Sequence, residues 1–248
     1  MNDKELVAIH AAKLVKDGMR VGLGTGSTAD CFIRELSRLH KNEDLKVIVI
    51  ASSVVSAIKA RELGLPLQSI EQTDRIDLYV DGADEVTLDK TLLKGRGYDL
   101  VREKLLAKAA DQFVVLIDKS KLVGRIGERF PVPVEVMPFA WRMVKDSLEK
   151  LGGRPTLRRT ANDDGLVVTS HGSLVLDTTF DATINIVKLD EALNAMPGVV
   201  EHGVFRRLAS SVLIGTDGAI QVLGPETKLD SQEIDSQDFV DDGSADGD

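Results

Sequence analysis

The chain has a single cysteine, few aromatic residues and no long apolar run. Cys31 alone cannot form an internal disulfide or a cysteine metal cluster. The strongest apolar runs, such as Val47–Ala51, are far shorter than the roughly 18 residues needed to span a bilayer. The N-terminal segment carries charges every few residues and lacks the apolar centre of a secretory signal. These absences predict a cytoplasmic protein with no membrane partner.

Basic clusters are also missing, and the net charge of −9 is concentrated at one end of the chain. Residues 225–248 contain nine acids and one base, so they carry −8 and leave −1 for residues 1–224. Their Asp-, Ser- and Gly-rich composition predicts a solvated, disordered acidic tail. Without a basic patch containing aromatic residues, a nucleic-acid partner is not expected. An anionic ligand would therefore need a local group of hydrogen-bond donors.

The remaining sequence is that of a globular protein, with 43% hydrophobic and 29% charged residues in 248. Its first half alternates strand and helix patterns with short connections, which predicts a doubly wound, mostly parallel α/β sheet. The predicted strands cover residues 19–24, 45–51, 76–80 and 113–117, and the predicted helices cover 28–39, 53–63 and 100–110.

The pattern changes at FPVPVEVMP, residues 130–138, where three prolines predict a stiff extended crossing between domains. A helix stripe from Trp141 to Leu151 follows, then a hairpin joining 157–160 to 166–169 and a helical pattern over 189–196. Strands 212–214 and 219–223 are expected to rejoin the first sheet. The predicted organisation is an α/β domain from 1–127 and 203–224, an inserted smaller α+β domain at 128–202, and the tail.

Polar clusters follow several of the predicted strands, at the edge where ligands bind in open parallel sheets. The first is GTGST at 24–28, which is typical of a phosphate-binding turn, although a tight structural turn is the alternative. It lacks the lysine of a nucleotide P-loop. A dinucleotide fingerprint is disfavoured because the second strand ends in Ser52 and Ser53 instead of an acidic residue.

Two further segments carry candidate acid–base groups. In DGADE at 81–85, Asp81 and Asp84 could perform proton transfer, cap a helix or hold a divalent metal, and no His or Cys lies nearby to favour the metal. In KGRGYDLVREK at 94–104, Lys94 and Glu103 would by default be surface ion pairs, but the glycines suggest close approach to a ligand. DKSK at 118–121 ends the next strand and carries Lys121.

Taken together and in this order, GLGTGST, YVDGADEV, KGRGYDLVREK and DKSK resemble ribose-5-phosphate isomerase of the A type. FPVPVEVMP, LGGRPTLR and PGVVEHGVF extend the resemblance, which runs from about residue 21 to 223. It implies an aldose–ketose isomerase of the pentose phosphate pathway, acting on D-ribose 5-phosphate and D-ribulose 5-phosphate through an enediol. It also implies no metal, no organic cofactor, and a homodimer or homotetramer.

By this resemblance Glu103 is the general base, and Asp81 and Asp84 take part in ring opening and in proton transfer between oxygens. Lys94 and Lys121 would stabilise the developing oxyanion or hold the sugar. The substrate-binding residues implied are Thr25, Gly26, Ser27, Thr28, Asp81, Gly82, Ala83, Asp84, Lys94, Gly95, Arg96, Gly97 and Lys121. The chain departs from many family members at Arg96, where they have a third glycine, and at Tyr98 and Asp99, where they have small residues.

Two other functions remain as alternatives. A non-catalytic sugar-phosphate sensor could share the fold, but it would usually carry a DNA-binding segment. An acyl-CoA transferase of similar sheet architecture would use a glutamate as nucleophile. Neither alternative accounts for Asp81, Asp84, Lys94 and Glu103 together.

Overall fold

The computed structural model describes residues 2–224, so the acidic tail predicted at 225–248 lies outside the described residues. Among the described residues, no helix is long and apolar enough to cross a membrane. The helices are α1 (Asp3–Ala12), α2 (Ser27–Asn42), α3 (Val54–Glu62), α4 (Leu100–Ala109), α5 (Trp141–Lys150) and α6 (Ile186–Asn194). The strands are β1 (Met19–Leu23), β2 (Val47–Ala51), β3 (Ile76–Gly82), β4 (Glu85–Val86), β5 (Leu92–Leu93), β6 (Ala110–Asp118), β7 (Val132–Val136), β8 (Arg154–Leu157), β9 (Leu174–Thr179), β10 (Val199–His202), β11 (Val204–Phe205), β12 (Ser211–Thr216) and β13 (Ala219–Leu223).

The largest sheet has six strands in the order β13-β12-β6-β3-β1-β2. Neighbouring strands are parallel, except that β13 pairs antiparallel with β12. The predicted mostly parallel, doubly wound sheet is confirmed. As predicted, β12 and β13 return to this sheet after the chain has formed its second sheet.

Helices cover both faces of the six-stranded sheet because its strands are apolar on both sides. On one face, Val7 of α1 and Phe32 of α2 pack in the same cluster as Val80 of β3. On the other face, Leu106 of α4 belongs to a cluster that contains Tyr79 of β3. Adjacent β3 residues thus face opposite clusters, as the alternation of side chains along a strand requires.

The second sheet has the order β10-β7-β9-β8, and all of its strands lie within residues 128–202. The proline-rich segment predicted as a crossing is extended, but it forms β7, a central strand of this sheet. Pro133 lacks an N–H donor but still contributes its carbonyl, which accepts the Gly203 N–H at 2.8 Å. The division of the chain into domains stays a prediction.

The predicted hairpin between 157–160 and 166–169 is only partly formed. Its turn is present, with the Thr160 N–H donating to the Gly165 carbonyl at 3.0 Å and one bridge between Arg159 and Leu166. The regular strand β8 instead ends at Leu157 and pairs with β9. The chain at β8 therefore pairs with the distant strand β9, and the local hairpin that the turn residues favour is limited to its turn.

A third sheet, in the order β11-β5-β4, joins the two larger ones. β4 and β5 form a short antiparallel pair immediately after β3, and β11 adds to β5 from far along the chain. This small sheet carries DGADE on one side and the start of KGRGYDLVREK on the other. It therefore brings two of the candidate segments together.

Candidate active site

Gly24 allows the loop after β1 to approach the end of β3. A Cβ atom placed on Gly24 would lie 2.1 Å from Asp81 Oδ1, so no side chain fits at this position. The next residue, Thr25, donates its N–H to the same carboxylate oxygen at 3.1 Å. Gly26 then adopts a φ of 110°, and α2 begins at Ser27 with first-turn N–H groups that lack intrahelical acceptors. The predicted phosphate loop thus lies directly against Asp81.

Three ionisable side chains from separate elements meet in the interior beside this loop. Lys94 Nζ lies 2.9 Å from Asp81 Oδ2 and 3.4 Å from Glu103 Oε2. It also donates to the Gly82 carbonyl at 2.8 Å. The exposed fractions of the Asp81, Lys94 and Glu103 side chains are 0%, 5% and 10%. The interpretation of Lys94 and Glu103 as surface ion pairs is therefore wrong.

The backbone around Lys94 explains how it reaches this cluster. Its N–H donates to the Gly203 carbonyl at 2.9 Å, and a Cβ on Gly203 would lie 2.3 Å from the Lys94 carbonyl oxygen. Gly95 has a φ of 95° and packs against Leu100, the first residue of α4. This tight turn sets the first turn of α4, and with it Glu103, beside Lys94.

Burial and charge oppose each other within the cluster. Burial raises the pKa of Glu103 to about 7, against the attraction of Lys94 and with the help of the Asp81 charge. Burial lowers the pKa of Lys94, but the charges of Asp81 and Glu103 outweigh burial and hold this pKa above its ordinary value. Glu103 Oε2 is buried without a hydrogen bond, because Lys94 is near enough for an ion pair but is not aligned to donate. A carboxyl group with a pKa near neutrality can both accept and return a proton.

Asp84 lies in the turn between β3 and β4, separated from Asp81 by the half-buried Gly82 and Ala83. Its N–H donates to the Leu93 carbonyl at 2.8 Å, which fixes the turn to β5. Burial raises the pKa of the Asp84 carboxyl, while nearby positive charges oppose this shift; they belong to Lys94, Arg96 and Lys121. Because β4 follows this turn, the alternative interpretation of 81–85 as a helix cap is wrong.

Arg96 and Lys121 approach from two other segments and share an aromatic contact. Arg96 Cζ lies 4.0 Å from the centroid of the Phe130 ring, and Lys121 Nζ lies 5.8 Å from it. Gly95 and Gly97 are held by Arg158, whose Nη1 donates to their carbonyls at 2.9 and 3.0 Å. The structure therefore brings the predicted residues of 24–28, 81–84 and 94–97 together with Glu103 and Lys121.

Several side chains at this edge are not among the site residues predicted from the sequence. Lys4 of α1 places its Nζ 2.8 Å from Ser27 Oγ, a contact that no local spacing could indicate. Ser53 caps α3 and also accepts a hydrogen bond from Thr25 Oγ1 at 2.6 Å. The Tyr79 hydroxyl donates to Asp81 Oδ2. Strand alternation could have found Tyr79, because residues two apart on a strand share a face.

A metal site was one alternative for Asp81 and Asp84. Within residues 2–224, no group of three or more His, Cys, Asp and Glu side chains is arranged to hold a metal ion. The arrangement of the site instead consists of a buried carboxyl group, a lysine beside it and a donor-rich loop. Such a set can remove a proton from carbon while stabilising negative charge on oxygen.

Comparison with known proteins gives a consistent family. A family model described as ribose 5-phosphate isomerase A (phosphoriboisomerase A) matches residues 48–219. A ribose-5-phosphate isomerase A from Thermomicrobium roseum is 47% identical over 222 residues, covering 89% of this chain and 92% of that protein. Another from Thermococcus kodakarensis is 42% identical over 219 residues, covering 88% of this chain and 96% of that protein.

Solved structures show the same likeness in three dimensions. Ribose 5-phosphate isomerase A from Methanocaldococcus jannaschii is 40% identical with a TM-score of 0.85, covering 90% of this chain and 98% of that one. A D-ribose-5-phosphate isomerase in complex with phospho-erythronic acid is 36% identical with a TM-score of 0.86, covering 91% of this chain and 100% of that one. The likeness thus extends over both larger sheets.

Proposed function

Because the chain belongs to the ribose 5-phosphate isomerase A family, we propose that it interconverts D-ribose 5-phosphate and D-ribulose 5-phosphate through an enediol, with Glu103 as general base. The observation that carries this proposal is the Glu103 carboxyl group, which is buried, has a pKa of about 7 and lies 3.4 Å from Lys94. A buried base of this kind is suited to a carbon acid, since it is poised to take a proton near neutral pH.

Glu103 removes the proton from C2 of the open-chain aldose and returns it to C1. The electron pair of the broken C2–H bond forms the C1–C2 double bond of the enediol, while the π pair of the C1=O bond moves to O1, which takes up a proton. In the return step O2 loses its proton, the C2=O bond forms, and the π pair of the C1–C2 bond takes the proton from Glu103 at C1, so no electrons leave the sugar. One carboxylate can serve both carbons because they are adjacent. Burial assists this role, since it excludes water that would otherwise exchange with the transferred proton.

Lys94 stabilises the negative charge that develops on the substrate oxygens. It is positively charged in the site because Asp81 and Glu103 keep its pKa high. Asp81 receives hydrogen bonds from Lys94 and Tyr79 and acts on the neighbouring hydroxyl and carbonyl oxygens. Asp84 assists in ring opening and in moving protons between those oxygens. These roles fit a reaction that shifts protons on both carbon and oxygen.

The loop formed by Thr25, Gly26, Ser27 and Thr28 holds the substrate phosphate. Two features support this role: the backbone conformation that Gly26 allows, and the first-turn N–H groups of α2, which have no intrahelical acceptors. Lys4 lies 2.8 Å from Ser27 Oγ and adds a positive charge at the same place. The sugar then extends past Gly82 and Ala83 towards Lys121 and the segment Gly95–Arg96–Gly97.

The proposal also includes a homodimer or homotetramer, cytoplasmic location, and turnover without metal or organic cofactor. Light scattering measures the assembly, and activity in the presence of a chelator addresses the metal. The sensor alternative predicts binding of ribose 5-phosphate without turnover. The acyl-CoA transferase alternative predicts CoA-dependent turnover and a thioester on a glutamate.

The first test is the rate of ribose 5-phosphate isomerisation by purified wild type and Glu103→Gln, with chelator present. The glutamine keeps the shape of the side chain but cannot accept the C2 proton. We expect kcat to fall by about 10²- to 10⁴-fold, which is the usual contribution of a positioned general base. Wild-type turnover should persist with the chelator.

Glu62→Gln is the matched control because Glu62 is an exposed residue at the end of α3. Its kcat should stay within about twofold of wild type, as for ordinary surface substitutions. If Glu103→Gln is folded and fully active, Glu103 is not the base. If folded wild type binds ribose 5-phosphate but does not turn it over, the isomerase proposal gives way to the sensor.

A further inference from the structure

Glu85, next to the proposed site residue Asp84, has a carboxylate that points into a different part of the protein. It is fully buried and accepts hydrogen bonds from consecutive backbone N–H groups of residues 127–130. Its Oε2 accepts from Gly127 at 2.7 Å and from Glu128 at 3.4 Å, and its Oε1 accepts from Arg129 at 2.7 Å and from Phe130 at 2.8 Å. We call Glu85 with these N–H groups the Glu85 clasp. A buried carboxylate with this many donors fixes a backbone strongly.

The loop held by the Glu85 clasp makes contacts on both sides of Lys121. The Arg129 guanidinium donates to the carbonyls of Ser120 and Leu122, which flank Lys121 in the chain. The Phe130 ring contacts the Lys121 ammonium group and the Arg96 guanidinium group. Arg129 therefore fixes the backbone around Lys121, and the ring of Phe130 fixes two cations that come from separate segments.

We propose that Phe130, anchored by the Glu85 clasp, is a positioning residue that holds Arg96 and Lys121 beside Asp84 for substrate binding. The proposal rests on the proposed isomerase function. It gives a role to Arg96, at which the chain departs from many family members, because the Arg96 guanidinium lies over the Phe130 ring with its Cζ 4.0 Å from the ring centroid. The adjacent residues Asp84 and Glu85 then have different roles: Asp84 lies in the substrate site, and Glu85 anchors the loop that carries Phe130.

The effect should fall on substrate binding and leave the chemical step intact. Within the reacting cluster, Lys94 contacts Asp81 and Glu103 and donates its N–H to the Gly203 carbonyl, and none of these contacts involves the Phe130 ring. Loosening Arg96 and Lys121 would therefore weaken the hold on the sugar phosphate in the ground state and the transition state alike. Loss of such uniform binding raises KM and leaves kcat unchanged.

The experiment compares steady-state isomerisation of ribose 5-phosphate by Phe130→Leu and Phe130→Tyr. Leucine keeps an apolar side chain but removes the aromatic face, whereas tyrosine keeps the face. We expect Phe130→Leu to raise KM by about threefold to tenfold with kcat within about twofold of wild type, and Phe130→Tyr to keep KM within about twofold. In an Arg96→Gln background, Phe130→Leu should raise KM by less than it does in wild type, because one of its two cations is gone.

Phe139→Leu is the matched control because Phe139 is 83% exposed and the change is the same. Glu85→Gln should raise KM in the same direction as Phe130→Leu; if that variant does not fold, the Phe130 variants decide. An unchanged KM in folded Phe130→Leu, or a fall in kcat alone, would overturn the proposal. A wild type without turnover would instead contradict the isomerase function, so the two failures are distinguishable.

Discussion

At the scale of single residues, the burial that supports the proposed role of Glu103 in proton transfer also costs stability near neutral pH. The pKa of this carboxyl rises from 4.5 to about 7 on folding, chiefly through burial. The folded state therefore binds the proton more tightly than the unfolded chain. Proton binding by Glu103 therefore favours the folded state. This stabilisation is complete below about pH 4.5 and is lost as the pH rises through about 7.

We expect Glu103→Gln to gain stability relative to wild type as the pH rises, because glutamine has no proton to lose. The difference between the two free energies of unfolding should change in favour of the variant by up to about 3 kcal/mol between pH 5 and pH 8, at roughly 1.4 kcal/mol per unit of pKa shift. Urea denaturation at both pH values measures it. A difference that stays constant with pH would mean that the Glu103 pKa is close to its ordinary value.

At the scale of elements, the site depends on the close approach of the loop after β1 to the end of β3. We expect Gly24→Ala to push the Asp81 carboxylate out of place, because the added methyl would lie 2.1 Å from Asp81 Oδ1. Overpacking of this kind costs about 1–3 kcal/mol of stability. If Asp81 has its proposed role, displacing its carboxylate by a fraction of an ångström should also reduce kcat by about tenfold or more.

Thermal unfolding and steady-state kinetics check this prediction, with Gly165→Ala as the control. A Cβ on Gly165 meets only Thr160 Cγ2, at an ordinary contact distance of 3.9 Å. The control should therefore match wild type in both measurements. A Gly24→Ala variant with wild-type kcat would show that Asp81 either tolerates the shift or is not needed for turnover.

The same elements show what sequence could predict and what it could not. The placement of polar clusters after β1, β3 and β6 followed from local patterns, because the carboxyl ends of parallel strands share an edge. The burial of Lys94 did not follow, because it depends on β11, which joins β5 from more than a hundred residues further along the chain. The predicted 157–169 hairpin is only partly formed for a similar reason, because β8 pairs with the distant strand β9.

At the scale of the whole molecule, the distribution of charge opposes the binding of an anionic substrate. The chain carries −9, and residues 225–248 account for −8 of it. A sugar phosphate is repelled by this field over a range set by the Debye length, about 30 Å at 0.01 M salt and 8 Å at 0.15 M. At low salt, the attraction between the site's cations and the substrate phosphate is therefore opposed by the repulsion from the net negative charge. At physiological salt this repulsion is almost fully screened.

Replacing the nine acids of 225–248 by their amides tests this argument without shortening the chain, since the net charge changes from −9 to 0. We expect KM for ribose 5-phosphate to fall by at most about threefold at 0.01 M ionic strength, and the difference to vanish near 0.15 M because the field is then screened. kcat should be the same in both proteins at either salt concentration, since the chemistry lies within the folded site. A difference in kcat, or a difference in KM that persists at 0.15 M, would mean that the acidic segment acts on the site through direct contact instead of through its long-range field.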